Sequence, residues 1–100
     1  MKLVIAIVHH DDAGAIVEAL LDKEYRTTRF DSAGGFLRRS NATLLVGVEA
    51  TQVDDVLAIL RAHSRPRSEA VDRAGAPGPP RVDLKSAIVF VIDAEGPIRI

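Results

Sequence analysis

YRTTRFDSAGGFLRRSNATLLVG, residues 25–47, decides how this chain is read. Thr27, Thr28 and Phe30 favour an extended backbone, because β-branched and aromatic side chains fit the half-buried surface of a sheet. Ala33-Gly34-Gly35 interrupts that pattern with the strongest turn signal in the sequence. ATLLVGV, residues 42–48, then reads as an aliphatic strand, with Gly47 near its end where a backbone or a ligand could approach closely. The stretch is a predicted hairpin, and it concentrates Arg26, Thr28, Phe36, Arg38, Arg39 and Asn41 in a short span.

The flanks say what carries the hairpin. KLVIAIV at 2–8 is a continuous aliphatic run, the mark of a strand buried on both faces, and residues 84–92 read as the last strand. Ala13, Ile16, Val17, Leu20 and Leu21 recur at helical spacing, which predicts a helix of about three turns with Asp11 or Asp12 as its cap. Val53, Val56, Leu57 and Leu60 mark a second helix, with Thr51 as the expected cap. The order βαββαβ predicts a ferredoxin-like α+β fold, an antiparallel sheet with two helices on one face. Residues 63–83 lose all periodicity and hold Pro66, Pro77, Pro79 and Pro80 beside Arg65, Arg67, Arg73 and Arg81; they read as a long basic loop within a single domain spanning 1–100.

That fold raises a difficulty that bears on assembly. Residues 4–8, 44–48 and 88–92 are apolar at both odd and even positions, yet helices can cover one face only. A lone copy would leave more apolar surface wet than soluble monomers usually do. The expectation is a closed ring of identical chains.

Composition narrows the classes. With 100 residues, 47% hydrophobic and 4% aromatic, the chain fits one domain with an aliphatic core. Thirteen basic residues against fourteen acidic ones, net charge −1, argue against bulk attraction to nucleic acid or anionic lipid. Without cysteine there is no disulfide and no thiolate metal site. The apolar N-terminal run is too short to span a membrane and lacks a signal-peptide pattern, so a cytoplasmic protein is expected. His9-His10-Asp11-Asp12 has metal-ligand chemistry, but adjacent strand residues point to opposite faces, so the stretch reads as strand end and cap. His63 reads as a solvated helix end, and Asp54-Asp55 as a solvated helix flank. No nucleophile–base pair or metal set is visible, and the expectation is that the chain is not an enzyme. The basic loop lacks interleaved aromatics and reads as a solvated loop rather than a nucleic-acid contact.

The chemistry between residues 25 and 47 suits a small ligand. Paired glycines let consecutive backbone N–H groups converge on an anion. Arg26 offers bidentate hydrogen bonds to a phosphate. Phe36, apolar just after a glycine turn, offers a face for base stacking, worth about 1–3 kcal/mol in single-strand binders. Thr28 and Asn41 supply donors and acceptors that read a base edge. From the residues alone two readings stand: a site for a ligand with a purine and a phosphate, or a hairpin with a basic rim.

The chain also resembles the PII-like cyclic-di-AMP receptor family, a branch of the nitrogen-regulatory PII superfamily. The likeness is carried by KLVIAIV at 2–8, YRTT at 25–28, GGFLR at 34–38, NATLLVG at 41–47, VDDVL at 53–57 and IVFV at 88–91. It implies a homotrimer that binds the cyclic dinucleotide in clefts between subunits and signals to a partner protein by rearranging loops, without catalysis, metal or cofactor. By matching position, the resemblance assigns Arg26 and Thr28 to phosphate and adenine edge. It assigns Gly35, Phe36 and Leu37 to the pocket wall, Asn41 and Gly47 to bonding or admitting the base, and Phe90 to closing the site from the last strand. Three features depart from the family. Glu24 stands where Asn or Gly is common, the second loop is shorter and basic, and the tail 93–100 does not match, leaving Arg99 as a loosely aligned source of a polar contact. Two alternatives follow: a PII-like regulator of another adenine nucleotide such as ATP or ADP, and a structural trimer with no nucleotide.

Overall fold

The computed structural model of the chain describes residues 1–31, 41–65, 67–70, 81–84 and 87–100. Strand β1 (Lys2–His9) leads into helix α1 (His10–Asp22), followed by β2 (Thr27–Phe30) and β3 (Asn41–Val48). A 3-10 turn (Ala50–Gln52) opens α2 (Val53–His63), and β4 (Arg67–Ala70), β5 (Arg81–Leu84) and β6 (Ala87–Asp93) complete the order. One sheet has the order β2-β3-β1-β6 with every neighbouring pair antiparallel, and β4 and β5 form a separate antiparallel pair. The main sheet and its two helices are the expected ferredoxin-like α+β fold.

Strand alternation decides which side chains close the core. Even positions of β1 and β3 point to the helix layer, so Val4, Ala6, Val8, Ala42, Leu44 and Val46 are buried. They meet Ile16 and Leu20 of α1 and Val56, Ile59 and Leu60 of α2 in one cluster. Odd positions point the other way, where no described element covers them. Leu3, Ile5 and Leu45 are half-buried there, while Phe30, Ile88, Phe90 and Ile92 are 42–47% exposed. Among the described residues no element covers this face, although Ile7 on it is only 9% exposed. Within α1 the expected stripe holds at Ala13, Ile16, Val17 and Leu20, but Leu21 is exposed.

Four expectations are corrected. The stretch 63–83, expected to be one loop, contains β4 and most of β5, and Leu84 ends β5 rather than opening the last strand. The missed signal is Arg81-Val82-Asp83-Leu84, which alternates polar and apolar at the period of a strand. The cap of α1 is neither Asp11 nor Asp12 but His9, whose Nδ1 accepts the Asp11 N–H at 3.1 Å. Asp12 is instead 2% exposed, and its carboxylate accepts from the Arg65 backbone N–H at 3.2 Å and from Arg65 Nε at 3.1 Å. It therefore ties the exit of α2 to the first turn of α1. Thr51 is exposed and does not serve as the cap; the entry to α2 is fixed by the Glu49 N–H donating to Gln52 Oε1 at 2.9 Å.

The end of α1 sets the entry to β2. The Glu24 N–H bonds the Leu21 carbonyl at 2.8 Å and the Tyr25 N–H bonds the Leu20 carbonyl at 2.9 Å, the paired bonds of a Schellman cap. Such a cap needs a left-handed residue, and Glu24 has φ 63. Asn or Gly suits this position because Gly has no Cβ to clash and Asn tolerates the left-handed region. The departure at Glu24 is thus first a matter of backbone conformation.

Candidate functional site

Strand register places the candidate residues on one sheet face. In β2, Thr27 and Arg29 pair with Val46 and Leu44, both buried, so Thr28 and Phe30 occupy the opposite, bare face. Tyr25 packs against the core, so alternation puts Arg26 on the same side as Thr28. Gly47 lies two residues along β3 from Leu45, the partner of Thr28, and is exposed on that face. A Cβ on Gly47 would meet nothing within 4 Å. The described residues do not require a glycine there. Arg26, Thr28 and Gly47 form one group at the β2 edge.

Two candidates lie away from that group. Asn41, half-buried, opens β3 opposite His9, and four residues of strand separate it from Leu45, about 14 Å. Phe90, 46% exposed, sits on β6 at the far edge of the sheet. The register runs Thr28–Leu45–Ile5–Phe90 straight across the four strands. Thr28 and Phe90 therefore share a row and a face but stand about 14 Å apart, three strand spacings. Gly35, Phe36 and Leu37 lie outside the described residues.

Charge and anchoring are distributed unevenly around the β2 edge. Arg29, on the helix side, pairs with Asp31 at 3.1 Å. Arg26 is exposed and pairs with no carboxylate among the described residues. The residue before it is held firmly. Tyr25 Oη donates to Asp55 Oδ2 at 2.7 Å, and Lys23 Nζ donates to Asp55 Oδ1 at 3.1 Å. The phenol's hydrogen bond to Asp55, then its desolvation, raises the Tyr25 pKa above the usual phenol value. Hydrogen bonds from Tyr25 and then Lys23 lower the Asp55 pKa below the usual carboxylate value. Asp55 is thus a tether between α2 and the start of β2, not the solvated flank expected from sequence.

Sequence reasoning also passed over Phe30 and Thr43, which face each other on the bare side. Phe30 is 47% exposed, and the Thr43 Oγ1 is buried with no hydrogen-bond partner among the described residues. Alternation from Thr28 would have found Phe30; no sequence signal marks the unpaired hydroxyl. A groove of about 410 Å³ lies between α2 and β6, lined by Leu57, Leu60, Val89 and Val91 with Arg61 at its rim. It is on the helix side, and none of the candidates among the described residues lines it. No helix among the described residues is long and apolar enough to cross a membrane.

Known proteins are similar to the chain in fold and in sequence. A crystal structure of a functionally unknown protein from Pediococcus pentosaceus ATCC 25745 superposes with a TM-score of 0.73 at 34% identity, covering 99% of this chain and 96% of that one. The sequence matches the family described as Cyclic-di-AMP receptor over residues 1–100. The chain, with its βαββαβ sheet and its row of candidate residues on the bare face, belongs to the PII-like cyclic-di-AMP receptor family.

Proposed function

We propose that this chain is a non-enzymatic signalling protein of the cytoplasm. It binds cyclic-di-AMP in clefts between the subunits of a homotrimer and relays occupancy to a partner protein through loop rearrangement. Family membership supports a nucleotide-binding signalling role. One observation carries the rest of the reading: Thr28 and Phe90 occupy opposite edges of one bare sheet face. The two stand about 14 Å apart, three strand spacings, at the two edges that a neighbouring copy could meet. A ring that brings the β2 edge of one copy beside the β6 edge of the next would place them on the same molecule. It would also remove Ile5, Leu45 and Ile88 from water, which supplies the association energy.

In this reading the Arg26 guanidinium holds a phosphate, Thr28 and Asn41 read base edges, and Gly47 leaves room for the ring. Gly35, Phe36 and Leu37 form the wall, and Phe90 stacks from the neighbour. Glu24 argues little for a different nucleotide, since its distinctive feature is a left-handed backbone in a helix cap.

The test is thermal unfolding with excess cyclic-di-AMP, with ATP, ADP and cyclic-di-GMP in parallel. Ligand at about 100 times its Kd adds roughly 2.7 kcal/mol per site, several degrees in a chain of this size. Arg26→Ala and Phe36→Ala should each abolish the shift while the oligomer persists. A shift with ATP or ADP alone would replace the ligand, and no shift with any nucleotide in a folded trimer would defeat the reading.

A further inference from the structure

We infer that Tyr25 and Asp55 are positioning residues for Arg26, acting together as a latch that presents its guanidinium on the bare face. The inference rests on the proposed binding site and names a part of it on the opposite side of the sheet. Tyr25 is held at three points. Its N–H donates to the Leu20 carbonyl at 2.9 Å, its carbonyl accepts from Thr27 Oγ1 at 3.1 Å, and its Oη donates to Asp55 Oδ2 at 2.7 Å. The first two bonds are local to the turn. The third reaches across 30 residues to the first turn of α2 and ties the phenol oxygen to the second helix.

The chemistry favours a stiff tether. Asp55 accepts from a neutral phenol and from the Lys23 ammonium at 3.1 Å, so its charge is compensated. It also sits near the N-terminal end of α2, where the helix dipole favours a carboxylate. Arg26 follows Tyr25 directly, faces the other side, and has no carboxylate partner among the described residues. The backbone from which the Arg26 side chain springs is fixed from behind by the phenol–carboxylate bond. Pre-placing such a group lowers the ordering cost of binding.

The test uses isothermal titration of cyclic-di-AMP into the full chain, its Tyr25→Phe and Asp55→Asn variants, Arg26→Lys, and the double variant Tyr25→Phe/Arg26→Lys. Tyr25→Phe and Asp55→Asn should each weaken binding about three- to tenfold, the worth of one hydrogen bond, with the oligomer intact. In the Arg26→Lys background, which lacks the planar fork, Tyr25→Phe should cost little more. A purely structural role would give losses that add. Unchanged affinity in Tyr25→Phe, or additive losses in the double variant, would overturn the inference. Failure of the unmutated chain to bind would instead defeat the proposed ligand. Amide exchange in the nucleotide-free protein then decides the latch: residues 26–28 should exchange faster in Tyr25→Phe, and unchanged rates would overturn it.

Discussion

Leu44 and Leu45 are neighbours on β3 with identical side chains, yet Leu44 is fully buried and Leu45 only half-buried. The contrast extends across the sheet. Over β1 and β3 the helix face is closed within the chain: its side chains close on α1 and α2, the exit of α2 is tied down by Asp12, and the entry to β2 by Asp55. The bare face is as apolar but ends in exposed Phe30, Ile88, Phe90 and Ile92, an exposed glycine and a threonine hydroxyl unpaired among the described residues. One face is covered by the chain's own helices, and the other is left open in a single copy.

The largest expected effect separates those two leucines. Leu44→Ala should cost about 2–5 kcal/mol in denaturant unfolding, because a cavity opens in a closed core. Leu45→Ala should cost clearly less in the monomer, and any further loss should depend on protein concentration. Equal losses at every concentration would erase the distinction between the faces. Next, Asp12→Ala should cost about 1–3 kcal/mol, since it leaves the Arg65 backbone N–H without its acceptor. A loss within error would mean that the helix layer holds without that tie.

Glu24→Gly should stabilise the chain by about 1 kcal/mol, because it removes the strain of a side chain at φ 63. The gain should appear as a raised Tm at unchanged nucleotide affinity; altered affinity would move Glu24 from the cap into the site. The smallest effect is in pH. The folded-state pKa of Asp55 is depressed, so its contribution is fully present above the ordinary carboxylate value, about 4, and is lost as pH falls through the depressed value. Tyr25 has the opposite sign: its raised pKa gives stability below the ordinary phenol value that is lost as pH climbs through the raised one. Stability measured against pH should show a shallower acid limb in Asp55→Asn than in the unmutated chain.

Much of this is legible in the residues alone. The aliphatic runs of β1 and β3 and the helical spacing of Ile16 with Leu20 and of Val56 with Leu60 give the fold, because burial leaves a period in sequence. The doubly apolar strands even disclose the bare face. What escapes are pairings without a period. Asp12 meets Arg65 across 53 residues, and Tyr25 meets Asp55 across 30. Such polar ties follow from chain folding, not from local pattern. Arg67-Ser68-Glu69-Ala70 has almost no apolar content to mark it as a strand, and its arginine-rich surroundings hide the alternation of its partner. The site is legible as a set of residue types, whereas its division between two sheet edges needs the register.

Gly47 shows what that division implies for tolerance to change. Because a methyl at this position would meet nothing within 4 Å, alanine should fold as well as glycine there, and even gain from better strand propensity. A deep mutational scan selecting for abundance would therefore rate position 47 permissive. If Gly47 admits the ligand as proposed, the same library selected for signalling would rate it closed. Positions that score oppositely in the two screens would outline, residue by residue, the shape of a molecule that the chain itself does not contain.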